Sequence, residues 1–219
     1  MRKAVLFFLI LLLIIPFSVS ASGLKLEPIG ALADPAASEA VRVALEDKGY
    51  RVLMADGSII CELWLRKALQ VSSKKDVSGA VYTEIPDSTL IGVISFPKGG
   101  GDFRGQAIKA GAYTLRYSLH PVDGNHLGIS PVRDFLVMVP LADDKEADAQ
   151  YKFEDLMKLS SKASGTAHPA PLSLVTYEGK VEPTLSENEY GHVTFSIKMK
   201  TSSGGELPVS FIVKGKAEQ

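Results

Sequence analysis

From residue 113 to residue 120 the chain alternates without a break. Tyr113, Leu115, Tyr117 and Leu119 fall on one side of an extended backbone and Thr114, Arg116, Ser118 and His120 on the other, which is the two-residue period of a strand. The second row predicts a polar, solvated sheet face. A similar alternation closes the chain: Val193, Phe195, Ile197 and Met199, a polar turn over 202–206, then Leu207, Val209, Phe211 and Val213, the pattern of a hairpin. Pro208 has no N–H for a ladder and places that last strand at a sheet edge. Residues 89–96 and 135–141 are apolar at most positions, as strands covered on both faces are. Asp56-Gly57 stands between two further strand-like runs and predicts a two-residue hairpin turn. That turn pairs Met54 with Ile59, Val52 with Cys61 and Tyr50 with Leu63 on one face, and Arg51 with Glu62 on the other. Pro169 and Pro171 keep the chain extended into 172–177.

Helical spacing occurs twice. Asp34 as cap, Pro35 at the first position, Ala37, Val41, Ala44 and Leu45 along one stripe and Gly49 as a stop predict a helix over 35–48. Phe153, Leu156, Met157 and Ser160 ahead of Gly165 predict a second one near 152–163. Between these elements, 98–106 with its three consecutive glycines reads as a mobile loop, 121–133 as a connection and 143–148 as an acidic surface segment. Seven or more mostly antiparallel strands with two short peripheral helices, and no strand–helix alternation, predict an all-β fold of the β-sandwich type. No repeat or shift in composition divides residues 22–219, which read as one domain.

The first 21 residues stand apart. Arg2 and Lys3 precede an unbroken apolar run over 4–15, Pro16 breaks it, and Val19-Ser20-Ala21 supplies the small residues a signal peptidase reads. Residues 1–21 are therefore expected to be a signal peptide cleaved near Ala21, leaving the chain periplasmic or secreted. Contact with a membrane is expected only through that segment before cleavage, since the run is shorter than the ~20 residues of a spanning helix. Cys61 is the one cysteine. It excludes an internal disulfide, it lies far from the position a lipid-bearing cysteine would take, and the hairpin register turns it inward as a core thiol. The 24 Lys+Arg and 25 Asp+Glu leave a net charge of -1, with no basic excess to grip a phosphate backbone, so nucleic acid is not an expected partner. Loss of the signal peptide removes two of those positive charges and no negative ones, which leaves a mildly acidic surface.

Gly99-Gly100-Gly101-Asp102-Phe103-Arg104-Gly105-Gln106 is followed by Lys109-Ala110-Gly111-Ala112-Tyr113-Thr114-Leu115-Arg116-Tyr117. This stretch resembles exported bacterial β-rich domains of unknown function in which a glycine turn opens an AG-x-Y-T/S-L strand. The resemblance covers residues 89–141 and implies a secreted or periplasmic β-sandwich. It brings no catalytic residues with it.

The candidate chemistry is concentrated in one loop. Imidazole and carboxylate are ligands of zinc and copper, so His120, Asp123 and His126, with His168 from elsewhere in the chain, are the candidate ligands of a divalent metal. Their spacing matches no named motif, and Asp-Gly-Asn is also ordinary turn chemistry. As a small-ligand face the candidates are Arg104, Arg116, His120, Asp123, Asn125 and His126. Arg116 offers a two-pronged contact to a carboxylate or phosphate, and Asp102 and Arg104 in the glycine loop read as a lid or as a surface loop with a local ion pair. No G-x-S-x-G elbow occurs. The expectation is a non-catalytic, cofactor-free module of the cell envelope that binds an envelope component or a small ligand. The alternative is a metal-dependent or hydrolytic enzyme built on the 120–126 loop.

Overall fold

A sheet with one apolar face can bury it by curling upon itself, and this chain does so with a single long sheet. The structure, a computed structural model, describes residues 23–122, 130–179 and 182–217. Its strands are β1 (Lys25–Gly30), β2 (Lys48–Leu53), β3 (Ile59–Leu65), β4 (Leu90–Phe96), β5 (Gly100–Gly101), β6 (Ala107–Ile108), β7 (Gly111–Leu119), β8 (Asp134–Pro140), β9 (Pro171–Val175), β10 (Thr184–Glu187), β11 (Val193–Lys200) and β12 (Glu206–Lys214). Ten of them form one antiparallel sheet in the order β1-β2-β3-β4-β7-β8-β9-β12-β11-β10, and β5 pairs with β6 as a small ribbon. The outer strands β1 and β10 approach each other, so the sheet is nearly closed. The fold is all-β with two short helices, α1 (Glu39–Ala44) and α2 (Phe153–Ser164).

The enclosed face carries one continuous apolar cluster that draws on strands from β2 to β12. Cys61 and Leu63 of β3, Leu115 and Tyr117 of β7 and Phe195 and Phe211 of β11 and β12 are all fully or almost fully buried there. Rings meet across the interior, Tyr50 of β2 lying 5.6 Å from Phe195. Full burial of such a side chain stabilises by about 1.5–3 kcal/mol, and a cluster of this size needs no disulfide to hold it.

The outer face departs from expectation. Thr114, Arg116 and Ser118 of β7 are buried, not solvated, because three pieces of chain cover the convex side of the sheet. The α1 segment covers Trp64 and Val93, burying Val41 and Leu45 against them. Helix α2 covers β8, with Leu156 against Phe135, Val137 and Val139. Residues 144–151 lie over Arg116 between the two. The segment 143–148 is thus no acidic surface segment throughout, since Asp144 is fully buried.

Helix α2 forms where the periodicity placed it, and Gly165 ends it in the left-handed region at φ 67°. Helix α1 is far shorter than 35–48. Ser38, not Asp34, caps it by accepting the Val41 N–H, and Asp34 instead closes a turn through the Ala36 N–H. Gly49 is no helix stop but lies inside β2, where a Cβ would come within 2.6 Å of the Trp64 indole nitrogen. That nitrogen donates to the Gly30 carbonyl at 2.8 Å. Tertiary packing of the indole therefore overrides the local helical pattern.

The strand pairs Tyr50–Leu63, Arg51–Glu62 and Val52–Cys61 are as the alternation requires, but a bulge follows and Leu53, not Met54, lies opposite Ile59. The turn is correspondingly longer. Gly57 N–H donates to the Met54 carbonyl and Met54 N–H to the Ser58 carbonyl, with Gly57 alone at positive φ, 83°. Strand β12 also differs from expectation, for it lies inside the sheet between β9 and β11. Pro208 is tolerated because β9 reaches only Ser210 and Phe211, leaving Pro208 without a neighbour on that side.

The glycine loop is ordered. Asp102, almost fully buried, accepts the N–H groups of Arg104 and Gln106 on one oxygen and the Gln106 amide on the other. Gly100 packs against Phe96, whose ring a Cβ would meet at 2.6 Å, whereas a Cβ on Gly101 meets only the Gln106 carbonyl at 3.7 Å. Gly57→Val, which forces a branched side chain to positive φ, should lower stability by about 1–3 kcal/mol. Gly101→Val should cost less than about 0.5 kcal/mol, with Gly100→Val costing clearly more than Gly101→Val. Urea unfolding midpoints order the three, and equal midpoints for Gly57→Val and Gly101→Val would contradict the turn geometry.

Candidate functional site

Arg116, read from the sequence as a ligand contact, has all five guanidinium N–H groups engaged inside the protein. Nε and Nη2 donate to the two carboxylate oxygens of Asp144 at 2.6 and 2.8 Å. Nη1 donates to the Ser88 and Ala149 carbonyls, and Nη2 also to that of Glu146. Asp144 in turn accepts the Thr114 and Tyr151 hydroxyls, and the Tyr151 ring stacks 4.9 Å from the guanidinium carbon. A charge without water must find its whole complement of partners in the protein, and here both partners do. The pair fastens residues 144–151 to the sheet, and no donor of Arg116 remains for a ligand.

A second buried carboxylate does similar work at the other end of β7. Asp134 accepts the N–H groups of Val81 and Tyr82 and the Tyr117 hydroxyl at 2.7–3.0 Å. Burial pushes the Tyr82 phenol up to about 12, so its hydroxyl stays protonated and donates to the Val175 carbonyl. Neither Asp134 nor Asp144 was marked by the sequence, because nothing local distinguishes a buried aspartate from an exposed neighbour such as Asp143.

The candidate metal ligands do not assemble among the described residues. His120 stacks on Phe135 with ring centroids 4.1 Å apart, at the start of β8. His168 is exposed and lies two residues before Ala170, whose carbonyl bonds to Met138 toward the opposite end of that strand. Asp123, Asn125 and His126 lie outside the described residues. Arg104 is exposed beside Asp102, in a loop held by that carboxylate rather than in a lid.

A pocket of about 500 Å³ opens where the β2–β3 hairpin, the glycine loop after β4 and the end of β12 converge. Met54, Ile59, Ile60, Phe96 and Val213 supply its apolar lining, and Gly99, Gly100 and Gly101 form a wall without side chains. Phe96 and Val213 are buried core residues, whereas Met54 and Ile59 remain half-exposed and join none of the apolar clusters. Asp56, Ser58 and Lys214 complete the lining as its polar members. Its size lies within the ~300–1,000 Å³ typical of small-molecule sites. The hairpin alternation placed Met54 and Ile59 together as core, and only the bulge and the curled sheet bring them to a pocket.

Comparison with family models, with curated proteins and with solved structures found no match.

The Arg116–Asp144 network makes a stability prediction. Arg116→Met or Asp144→Asn should each cost about 3–5 kcal/mol, because each leaves its partner charged and buried. Arg116→Met combined with Asp144→Leu should cost less than the sum of the single losses, measured by urea unfolding. Cys61 makes a second one: burial, and the Glu62 charge behind it, push its thiol far up. It should therefore resist a bulky maleimide in the native protein and react once the chain is unfolded in urea. Rapid native labelling would place it off the enclosed face.

Proposed function

We propose that this chain is an exported, non-catalytic all-β module of the bacterial cell envelope that binds a small apolar molecule at the pocket of Met54, Ile59 and the glycine loop. One observation carries the reading. Two large apolar side chains, Met54 and Ile59, stay half-exposed beside a fully buried Phe96, around a concavity whose far wall is bare glycine backbone. Water in contact with such a surface is displaced favourably by apolar matter, and a wall without side chains admits close approach.

The export part of the reading has separate support. The first strand begins at Lys25, so cleavage near Ala21 leaves every described element intact. The lone thiol is enclosed, which protects it in an oxidising compartment. A nearly closed sheet whose buried Asp134 and Asp144 each accept several internal hydrogen bonds is a rigid frame, as a binding module requires.

Two measurements test this. The neutral dye Nile red should bind the native protein saturably with one equivalent, and both Gly101→Leu and Ile59→Glu should abolish the binding while preserving the circular dichroism of the sheet. Absence of saturable binding would overturn the pocket as the site. N-terminal sequencing of protein recovered from an expressing bacterium should begin near Ser22, and a start at Met1 would overturn export.

A further inference from the structure

The charges around the pocket point to the kind of molecule it selects. Asp56 is engaged in its own turn, with Oδ1 accepting the Ser58 N–H at 2.8 Å. Hydrogen bonds from Ser58, and after them the charge of Lys98, hold its carboxyl below the usual range. Lys214 lines the pocket itself, and among the described residues its ammonium reaches only the thioether of Met54, at 3.7 Å. Neither Lys98 nor Lys214 forms an ion pair among the described residues. The lining thus carries the Lys214 ammonium beside one carboxylate that the turn already holds, and Lys98, exposed, precedes Gly99 of the glycine wall in the chain. Met54, Ile59, Phe96 and Val213 supply the apolar part of the lining.

We propose that the pocket takes an anionic amphiphile, its apolar chain against Met54, Ile59, Phe96 and Val213 and its carboxylate head at the Lys214 and Lys98 ammonium groups. This rests on the reading of the same pocket as the binding site. The thioether and the branched Ile59 side chain fit an unbranched alkyl chain, since methionine adapts to irregular apolar shapes. The glycine wall leaves room for that chain to lie along the backbone. At the rim, a positive charge in partly aqueous surroundings discriminates by sign more than it adds affinity, and salt weakens that discrimination.

Isothermal titration of the exported chain with octanoate, octylamine and octyl glucoside separates the possibilities. Octanoate should bind about fivefold or more tightly than octylamine, with the neutral glucoside between them, and the difference should shrink in about 0.5 M salt. Lys214→Glu should reverse the order of octanoate and octylamine. Lys98→Glu provides the same reading if Lys214→Glu fails to fold. Equal affinities for the three amphiphiles, with Nile red still bound, would overturn the anionic head while leaving the pocket as a binding site. Failure of Nile red and all three amphiphiles to bind would overturn both. Octanoate binding that survives Gly101→Leu unchanged would place it elsewhere on the surface and overturn the proposal.

Discussion

The contact between Arg116 and Asp144 is the constraint on which the outer half of this protein depends. A guanidinium on the convex face of β7 would ordinarily point to water. Here it is roofed over, and the roof is itself made of its partners: the Asp144 carboxylate and the carbonyls of Glu146 and Ala149. The same short stretch of chain reaches α1, where the Ser38 hydroxyl donates to the Lys145 carbonyl and the Lys145 ammonium to that of Ala36. On its other side Tyr151 leads directly into α2. One buried charge therefore sets the positions of both helices relative to the sheet. An apolar residue at 116 would pack there, but it would give residues 144–151 no reason to stay in one register.

Curling rather than stacking explains where the pocket lies. A sheet of ten strands with right-handed twist bends until its edges approach, and the interior fills with side chains along the middle of its strands. At one mouth the β2–β3 hairpin rises on one wall and the end of β12 on the other, and between them the chain leaving β4 runs as three glycines. Larger residues there would plug the opening. Phe96 already occupies the space below Gly100, so glycine at that position is a steric requirement and its by-product is an uncovered apolar floor.

How much was legible in the sequence varied with the range of the interactions involved. Strands were read correctly wherever alternation was strong, as at 113–119 and 193–213, since the pleat imposes its period on each residue independently. The pairs of the β2–β3 hairpin away from its turn were also legible, and the α2 boundaries followed from Gly165. Strands β1 and β10 were not recognised, because Leu26, Pro28 and Leu185 sit in short, mixed runs that become strands only beside β2 and β11. The helix over 35–48 was overextended for a related reason: Gly49 carries the same local signal whether it stops a helix or makes way for an indole.

The sequence by itself determined the all-β class, the inward side of β3, β7 and β12 and the enclosure of Cys61, because periodicity and turn chemistry are local and each residue reports them on its own. The tertiary structure alone decided that the row containing Thr114 and Arg116 is buried, that Asp144 rather than Asp143 is its counter-charge, and that Met54 and Ile59 border a pocket. Each of those depends on which distant segment folds over which face. A polar row looks the same from the chain whether water or a second layer covers it, and only the completed hydrogen-bond set around Arg116 tells the two apart.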